Sequence, residues 1–385
     1  MKRVMTVYGT RPEAIKVAPI IKALEASEKF ESIAVVTGQH REMLDQVNGL
    51  FGIEPVEDLN IMSAGQSLNG IVAKVISGVD AIYEKYAPDA VIVQGDTSTV
   101  MGAAVAAFNR QIPVVHLEAG LRSGDINSPF PEEANRKLTS QIAALHLAPT
   151  AESKANLLRE GVNEADIVVT GNSVIDALFV TVEKTVEFED SAVQQVIESG
   201  SPMVLVTTHR RENWGEPMER IGQAVAELAR KFPDFTFVFP AHKNPLVREA
   251  VLPSLEGLTN VVVAEPLAYA EFTHVMKAAH LVLTDSGGVQ EEAPSLGKPV
   301  LVLRENTERP EAVEAGTVRL IGTELERIVG EVSALIENGE HYASMANAVN
   351  PYGDGKAAER TVAALEEMFG VGHRVKDFGD NNYVR

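Results

Sequence analysis

Short valine- and isoleucine-rich runs alternate with longer amphipathic stretches along almost all of this 385-residue chain, and that alternation limits what it can become. Strands that are apolar on both faces belong inside a sheet covered on both sides, and the intervening helices supply the covers. The pattern predicts an α/β fold with parallel sheets. In the first half the predicted strands are 3–8, 32–37, 90–94, 114–118, 145–148 and 167–170, and the predicted helices are 13–26, 40–51, 68–86, 99–109, 132–143 and 151–160. A mixed, charge-rich region then runs to about Ser201. The rhythm restarts with strands at 203–208, 235–239, 261–264, 281–284, 300–303 and 317–321. The restart predicts two doubly wound, Rossmann-like domains facing a cleft, 1–171 and 172–354, followed by a helix at about 355–369 and a polar tail, 370–385, that reads as poorly ordered. A single eight-stranded barrel fits worse, because there are too many strands and the middle is interrupted.

Charge and composition exclude several classes of function. Lys and Arg number 34 against 54 Asp and Glu, so a net charge of -20 repels nucleic acid and anionic membranes. Any anionic ligand must then meet a local basic cluster. The absence of cysteine removes disulfides, thiolate catalysis and cysteine-ligated zinc. No run approaches the length of a membrane span and no signal-peptide pattern opens the chain, so a cytoplasmic protein is expected.

In doubly wound sheets ligands sit beyond the carboxyl ends of the strands, so those ends are where chemistry is sought. The first is "YGTRPEAIKVAP", in which Arg11 and Lys16 either reach a phosphate or are solvated cations at an ordinary helix start. The third, "VQGDTST", puts Asp96 in a turn before a helix, where its bland role is an N-cap. The fourth, "VVHLEAGLRSGD", places His116 and Glu118 on one face of a strand, with no third ligand at metal-binding spacing; no metal is expected. In "SPFPEEANRKL", Glu132 and Arg136 have i, i+4 spacing. One carboxylate at such an edge is ordinarily a cap, whereas Asp96, Glu118 and Glu132 together point to proton transfer.

The second set of strand ends is basic. "VLVTTHRREN" carries His209, Arg210 and Arg211; "VFPAHKNP" carries His242 and Lys243; "RENTERPEA" carries Arg304 and Arg309. Between them "TDSGGVQEEAPSLGKP" sets Ser286, Gly287 and Gly288 at a helix start suited to a diphosphate, with adjacent glutamates one turn on where a carboxylate could meet a ribose diol. The plain alternative is that Glu291 and Glu292 simply complement the helix dipole, and this segment alone does not choose between the two.

The ordered series "GTRPEAIK", "QHREMLDQV", "GDT", "HLEAGLRSGD", "PEEANR", "THRREN", "TDSGGVQEEAPSLGKP", "TERPEA" and "NPYGDG" closely resembles the bacterial non-hydrolysing UDP-N-acetylglucosamine 2-epimerases, from Met1 to about Met368. The resemblance implies a fold like the two-domain (GT-B-type) nucleotide-sugar glycosyltransferases, with the last helix returning to the first domain, and a homodimer. It implies interconversion of UDP-N-acetylglucosamine and UDP-N-acetylmannosamine for cell-surface polysaccharide, through elimination of UDP and a 2-acetamidoglucal, without a cofactor. Carried over residue by residue, it gives Arg11, Lys16, His209, Ser286, Gly287 and Arg309 to the diphosphate, Glu292 to the ribose, the stretch 266–272 with Phe272 to uracil, and a nearby place to His242. Asp96, Glu118 and Glu132 become acid/base groups, with His209 also implicated and Arg136 beside Glu132. Some relatives are activated by substrate through the "QHRE" region; Gln39, His40 and Arg41 match, while Glu42 stands where some have glutamine. A glycosyltransferase, a hydrolysing epimerase and a non-catalytic nucleotide-sugar sensor are the competing readings.

Overall fold

A computed structural model describes residues 1–38, 41–62 and 65–379. By internal contacts the chain divides into two units, Met1–Ala177 with the segment from Tyr352 onward, and Leu178–Pro351. In the first unit β1 (Lys2–Tyr8), α1 (Arg11–Glu25), β2 (Phe30–Val36), α2 (Arg41–Phe51), β3 (Glu57–Asp58) and α3 (Leu68–Tyr86) come first. They are followed by β4 (Ala90–Gln94), α4 (Ser98–Asn109), β5 (Val114–Leu117), α5 (Glu132–Ile142), β6 (Leu145–Ala148), α6 (Ala151–Arg159) and β7 (Ile167–Val169). Among the described residues the strands form one parallel sheet in the order β3-β2-β1-β4-β5-β6-β7.

The helix α7 (Ser173–Val182) leads into the second unit, which continues with α8 (Ser191–Ser199), β8 (Met203–Thr207), α9 (Glu216–Lys231), β9 (Thr236–Pro240), α10 (Pro245–Leu255), β10 (Val261–Ala264) and α11 (Tyr269–Ala278). Then come β11 (Leu281–Thr284), α12 (Gly287–Glu292), β12 (Val300–Val302), α13 (Pro310–Glu314), β13 (Val318–Leu320), α14 (Leu325–Glu337) and α15 (Gly339–Ala346). The parallel order here is β10-β9-β8-β11-β12-β13. The last described helix, α16 (Ala357–Met368), belongs to the first unit.

Both cores follow the apolar periodicity. All of β4 is buried, as an inner strand requires, and α3 turns Ile71, Val75, Val79, Ile82 and Tyr83 inward at helical spacing. In the second unit Met218, Ile221, Val225 and Leu228 of α9 share a core with Phe237 and Phe239 of β9. Helix starts are fastened by side chains: Thr10, Thr97, Thr150, Asp190 and Asn244 each accept a backbone N–H of the following turn.

Three features differ from the sequence reading. The region after Gly171 holds two helices, and the change of unit falls within α7, because Val174, Ile175, Ala177 and Leu178 are buried. The two-residue strand β3 was too short to leave a periodic signal. The tail is not loose over its described part: Arg374 donates to the carbonyls of Ile167 and Ala165 at 3.1 and 2.9 Å, and the Phe378 N–H to Val169 at 2.7 Å. Residues 380–385 lie outside the described residues. No described helix is long and apolar enough to cross a membrane.

Candidate functional site

In each sheet the strand order reverses direction at one place, and there the turns after two neighbouring strands part to leave a crevice. For the first unit that place lies between β1 and β4, so the turns at Gly9–Arg11 and Gly95–Thr97 flank it. Glu13 ties them together. Its buried carboxylate accepts the N–H groups of Gly9 and Thr10 at 2.6 and 2.9 Å and the hydroxyl of Thr97. Burial pushes this carboxyl above its ordinary range, against the pull of those donors.

Thr97, and not Asp96, caps α4. Asp96 is thereby left for Arg136, whose Nη2 and Nε lie 2.6 and 2.9 Å from Asp96 Oδ2. The expected pairing of Arg136 with Glu132 is not made. Arg136 bonds instead to Glu133 at 3.1 Å, and that fully buried carboxylate also accepts the Ser123 N–H at 3.1 Å. Glu132 is the first residue of α5, half-buried, and forms no ion pair among the described residues.

Strand β5 ends at Leu117, so Glu118 does not continue the face of His116. Its φ of 64° is the left-handed conformation that few side-chain-bearing residues adopt. His116 points into the core with Nε2 2.7 Å from the Gly95 carbonyl, and burial lowers its pKa to about 4. Glu118 gathers donors from Lys16, from Gln94 and, at 3.2 Å, from Asn172. Lys16, a phosphate candidate from its motif, is thus placed on a carboxylate, while Arg11 opens α1. No group of three or more His, Asp or Glu among the described residues is arranged to hold a metal.

In the second unit the reversal lies between β8 and β11, which brings His209 and Asp285 together. Asp285 is fully buried. It accepts the Thr208 hydroxyl at 2.7 Å, the N–H groups of His209 and Arg210 at 3.0 Å and the Asn213 amide at 3.1 Å. Burial alone would raise its pKa, but His209 and the other donors outweigh it and hold the carboxyl below its usual range. His209 Nδ1 is 3.2 Å from Asp285 Oδ1, so the acid orients the ring. The ring stacks on His242 at 5.7 Å between centroids. His242 Nδ1 accepts the Asn244 N–H at 3.1 Å, and burial together with His209 lowers its pKa.

The turn after β11 begins α12, with Ser286 as its N-cap. A Cβ added to Gly287 would stand 2.6 Å from Arg309 Nη1, so the arginine lies directly over that glycine, whereas at Gly288 the nearest atom would be Glu292 Oε1 at 3.5 Å. Arg309 is held there by Glu291, which is buried and acts as an anchor for the arginine beyond any effect on the helix dipole. Glu292 accepts the Tyr269 hydroxyl at 3.1 Å. Phe272, half-buried, lies in the first turn of α11. Arg304 is buried and engaged by Glu212 and Glu308, so it does not join an open cationic face.

Sequence reasoning passed over Glu13, Gln94, Asn172 and Asp285. Asp285 had a usable signal, a lone acid directly ending a strand between glycine and histidine motifs. Gln94 and Asn172 had none, since their role is visible only once Glu118 is placed. Gln39 and His40 lie outside the described residues, and Arg41 is placed only as the start of α2.

A family model described as UDP-N-acetylglucosamine 2-epimerase matches residues 22–366. The UDP-N-acetylglucosamine 2-epimerase of Yersinia pestis is 50% identical over 369 residues, 94% of this chain and 98% of its own. That of Salmonella typhimurium is 51% identical over 369 residues, again 94% and 98%. The crystal structure of UDP-GlcNAc 2-epimerase from Neisseria meningitidis bound to UDP-GlcNAc is similar with a TM-score of 0.84 and 49% identity, covering 95% of this chain and 100% of that one.

Proposed function

The chain belongs to the UDP-N-acetylglucosamine 2-epimerase family, and from that premise we propose that it interconverts UDP-N-acetylglucosamine and UDP-N-acetylmannosamine. The observation that carries the reading is the division of labour between the two strand-order reversals. Carboxylates on paired cations stand at the first, Asp96 with Arg136 and Glu118 with Lys16. An oriented histidine and an anchored arginine over a glycine helix start stand at the second.

The chemistry needs both. The C2 proton of the sugar has no adjacent carbonyl and is too weakly acidic for direct removal. Breaking the anomeric C–O bond sends its electron pair to the departing UDP and builds positive charge in the ring, after which a base takes the C2 proton and C1=C2 forms. Addition of UDP to this 2-acetamidoglucal, with a proton delivered to the opposite face of C2, completes the exchange. Arg11, His209, Ser286, Gly287 and Arg309 would hold the diphosphate, with Lys16 linking that charge to Glu118. Glu292 would bind the ribose, and residues 266–272, with Phe272, the uracil. Asp96, Glu118 and Glu132 would move the protons. A homodimeric state, activation by substrate at Gln39–Arg41 and supply of a cell-surface polysaccharide belong to the same reading.

Incubation with UDP-N-acetylglucosamine in deuterated water, without acceptor or added metal, tests it by NMR at C2. Deuterium at C2 of both UDP-sugars is the expected result. Release of free N-acetylmannosamine, or no reaction until a sugar acceptor is supplied, would sink the proposal in favour of hydrolysis or glycosyl transfer.

A further inference from the structure

We infer that Asn172 is a positioning residue for this reaction, aiming the Glu118 carboxylate from the segment by which the chain leaves its first unit. The inference rests on the acid/base reading of Glu118.

Asn172 follows β7 and is 4% exposed. Its Oδ1 accepts the N–H of Val174 at 3.1 Å, which fixes the amide orientation and turns Nδ2 toward Glu118 Oε1 at 3.2 Å. Its backbone N–H donates to the Tyr352 carbonyl of the returning segment at 2.6 Å. The next residue continues the connection, since Ser173 Oγ donates to the Lys16 carbonyl at 2.7 Å and Lys16 is the cation on the same carboxylate. Asp176, one turn on, accepts the N–H groups of Ala357 and Ala358 at 3.1 and 2.8 Å. Glu118 is thus braced against both segments that join this unit to the rest of the chain.

Glu118 is also bonded by Lys16 from α1 and Gln94 from β4, while the nearby His116 of β5 is turned into the core and kept neutral by burial. Lys16 supplies charge from a flexible stem, whereas the two amides supply direction without charge. Donors aimed at a carboxylate favour its ionised form, so losing one weakens the base as well as its aim. The plainer reading is that Asn172 only caps the start of α7 through the Val174 N–H.

Asn172→Ser and Asn172→Asp separate the two, because both retain an oxygen for the cap. Serine removes the donor to Glu118, and aspartate replaces it with a like charge. Positioning predicts that the acid limb of the kcat–pH profile moves up by roughly one pH unit in each variant, with UDP affinity unchanged. An unmoved profile in a folded Asn172→Asp protein overturns the inference. Should these variants fail to fold, Gln94→Met probes the same carboxylate from β4; an upward shift there supports the clamp, and its absence refutes it. Glu118→Gln is run alongside: wild-type turnover in that variant removes the acid/base reading itself, whereas an inactive Glu118→Gln with a normal Asn172→Asp removes only the role of Asn172.

Discussion

Gly287→Ala tests whether Arg309 has anywhere else to go. Gly287 has no left-handed backbone, so the change introduces only a methyl group, whose carbon would meet Arg309 Nη1 at 2.6 Å and Cζ at 2.9 Å. An arginine tip normally swings aside at little cost. This one is tethered through Nε to Glu291, whose side chain is 6% exposed, so displacement sacrifices a charge-assisted bond. Such a bond contributes about 1.5–3 kcal/mol, which corresponds to roughly 10- to 150-fold weaker UDP binding by calorimetry. Gly288→Ala is the internal control, because its methyl carbon would have Glu292 Oε1 at an ordinary 3.5 Å. It should bind UDP within about twofold of the parent and gain up to ~1 kcal/mol of helix stability. A Gly287→Ala protein that binds UDP as tightly as the parent would refute the idea that the Glu291–Arg309 pair positions the phosphate-binding cation.

Three further outcomes are expected. Asp96→Asn and Glu118→Gln should each lower kcat by about 10²–10⁴-fold with UDP binding retained; normal turnover in both removes the acid/base assignment. Burial, partly offset by the Ala357 and Ala358 N–H groups, raises the pKa of Asp176 to about 6. The folded chain therefore holds that proton more tightly than an unfolded aspartate near pH 3.9 does, so the stabilisation is complete below about pH 4 and is lost as pH rises to about 6, on the order of 3 kcal/mol. Asp176→Asn should flatten melting temperature against pH across that window, and an unchanged slope would count against this account. Arg374→Ala should release the tail, seen as faster proteolysis after residue 370 with little change in the global melting temperature, and equal cleavage rates would show the two carbonyl contacts to be idle.

The repeated strand rhythm was legible because buried parallel strands must be apolar on both faces, and β4 and β11 fall on the short apolar runs AVIV and LVL. The positions of Asp96 and His209 were legible for a related reason, since strand ends in such sheets are where ligands bind. Partnerships were not legible. Glu132 and Arg136 have helical pairing distance, yet Arg136 turns to Asp96 and Glu133, because Glu133 is the acid that faces inward. Glu291 and Glu292 are adjacent and chemically identical, but successive helical positions face different neighbours, so one anchors Arg309 and the other meets Tyr269. Periodicity locates an element; it does not say which of two neighbouring acids finds a cation across the fold.

The return of α16 to the first unit bears on the order in which the chain can fold as it is made. Phe369 meets Phe30 at 6.1 Å between ring centroids, and Glu366 pairs with Lys29 at 2.7 Å, so α16 and the residue after it cover ground beside α1 and β2 that were synthesised first. The second unit, continuous from Leu178 to Pro351, can close as soon as it leaves the ribosome. The first must wait with that flank uncovered until α16 emerges. A ribosome that stops anywhere before α16 therefore yields a finished second half attached to an unfinished first, and early termination damages the end of the protein that was translated earliest.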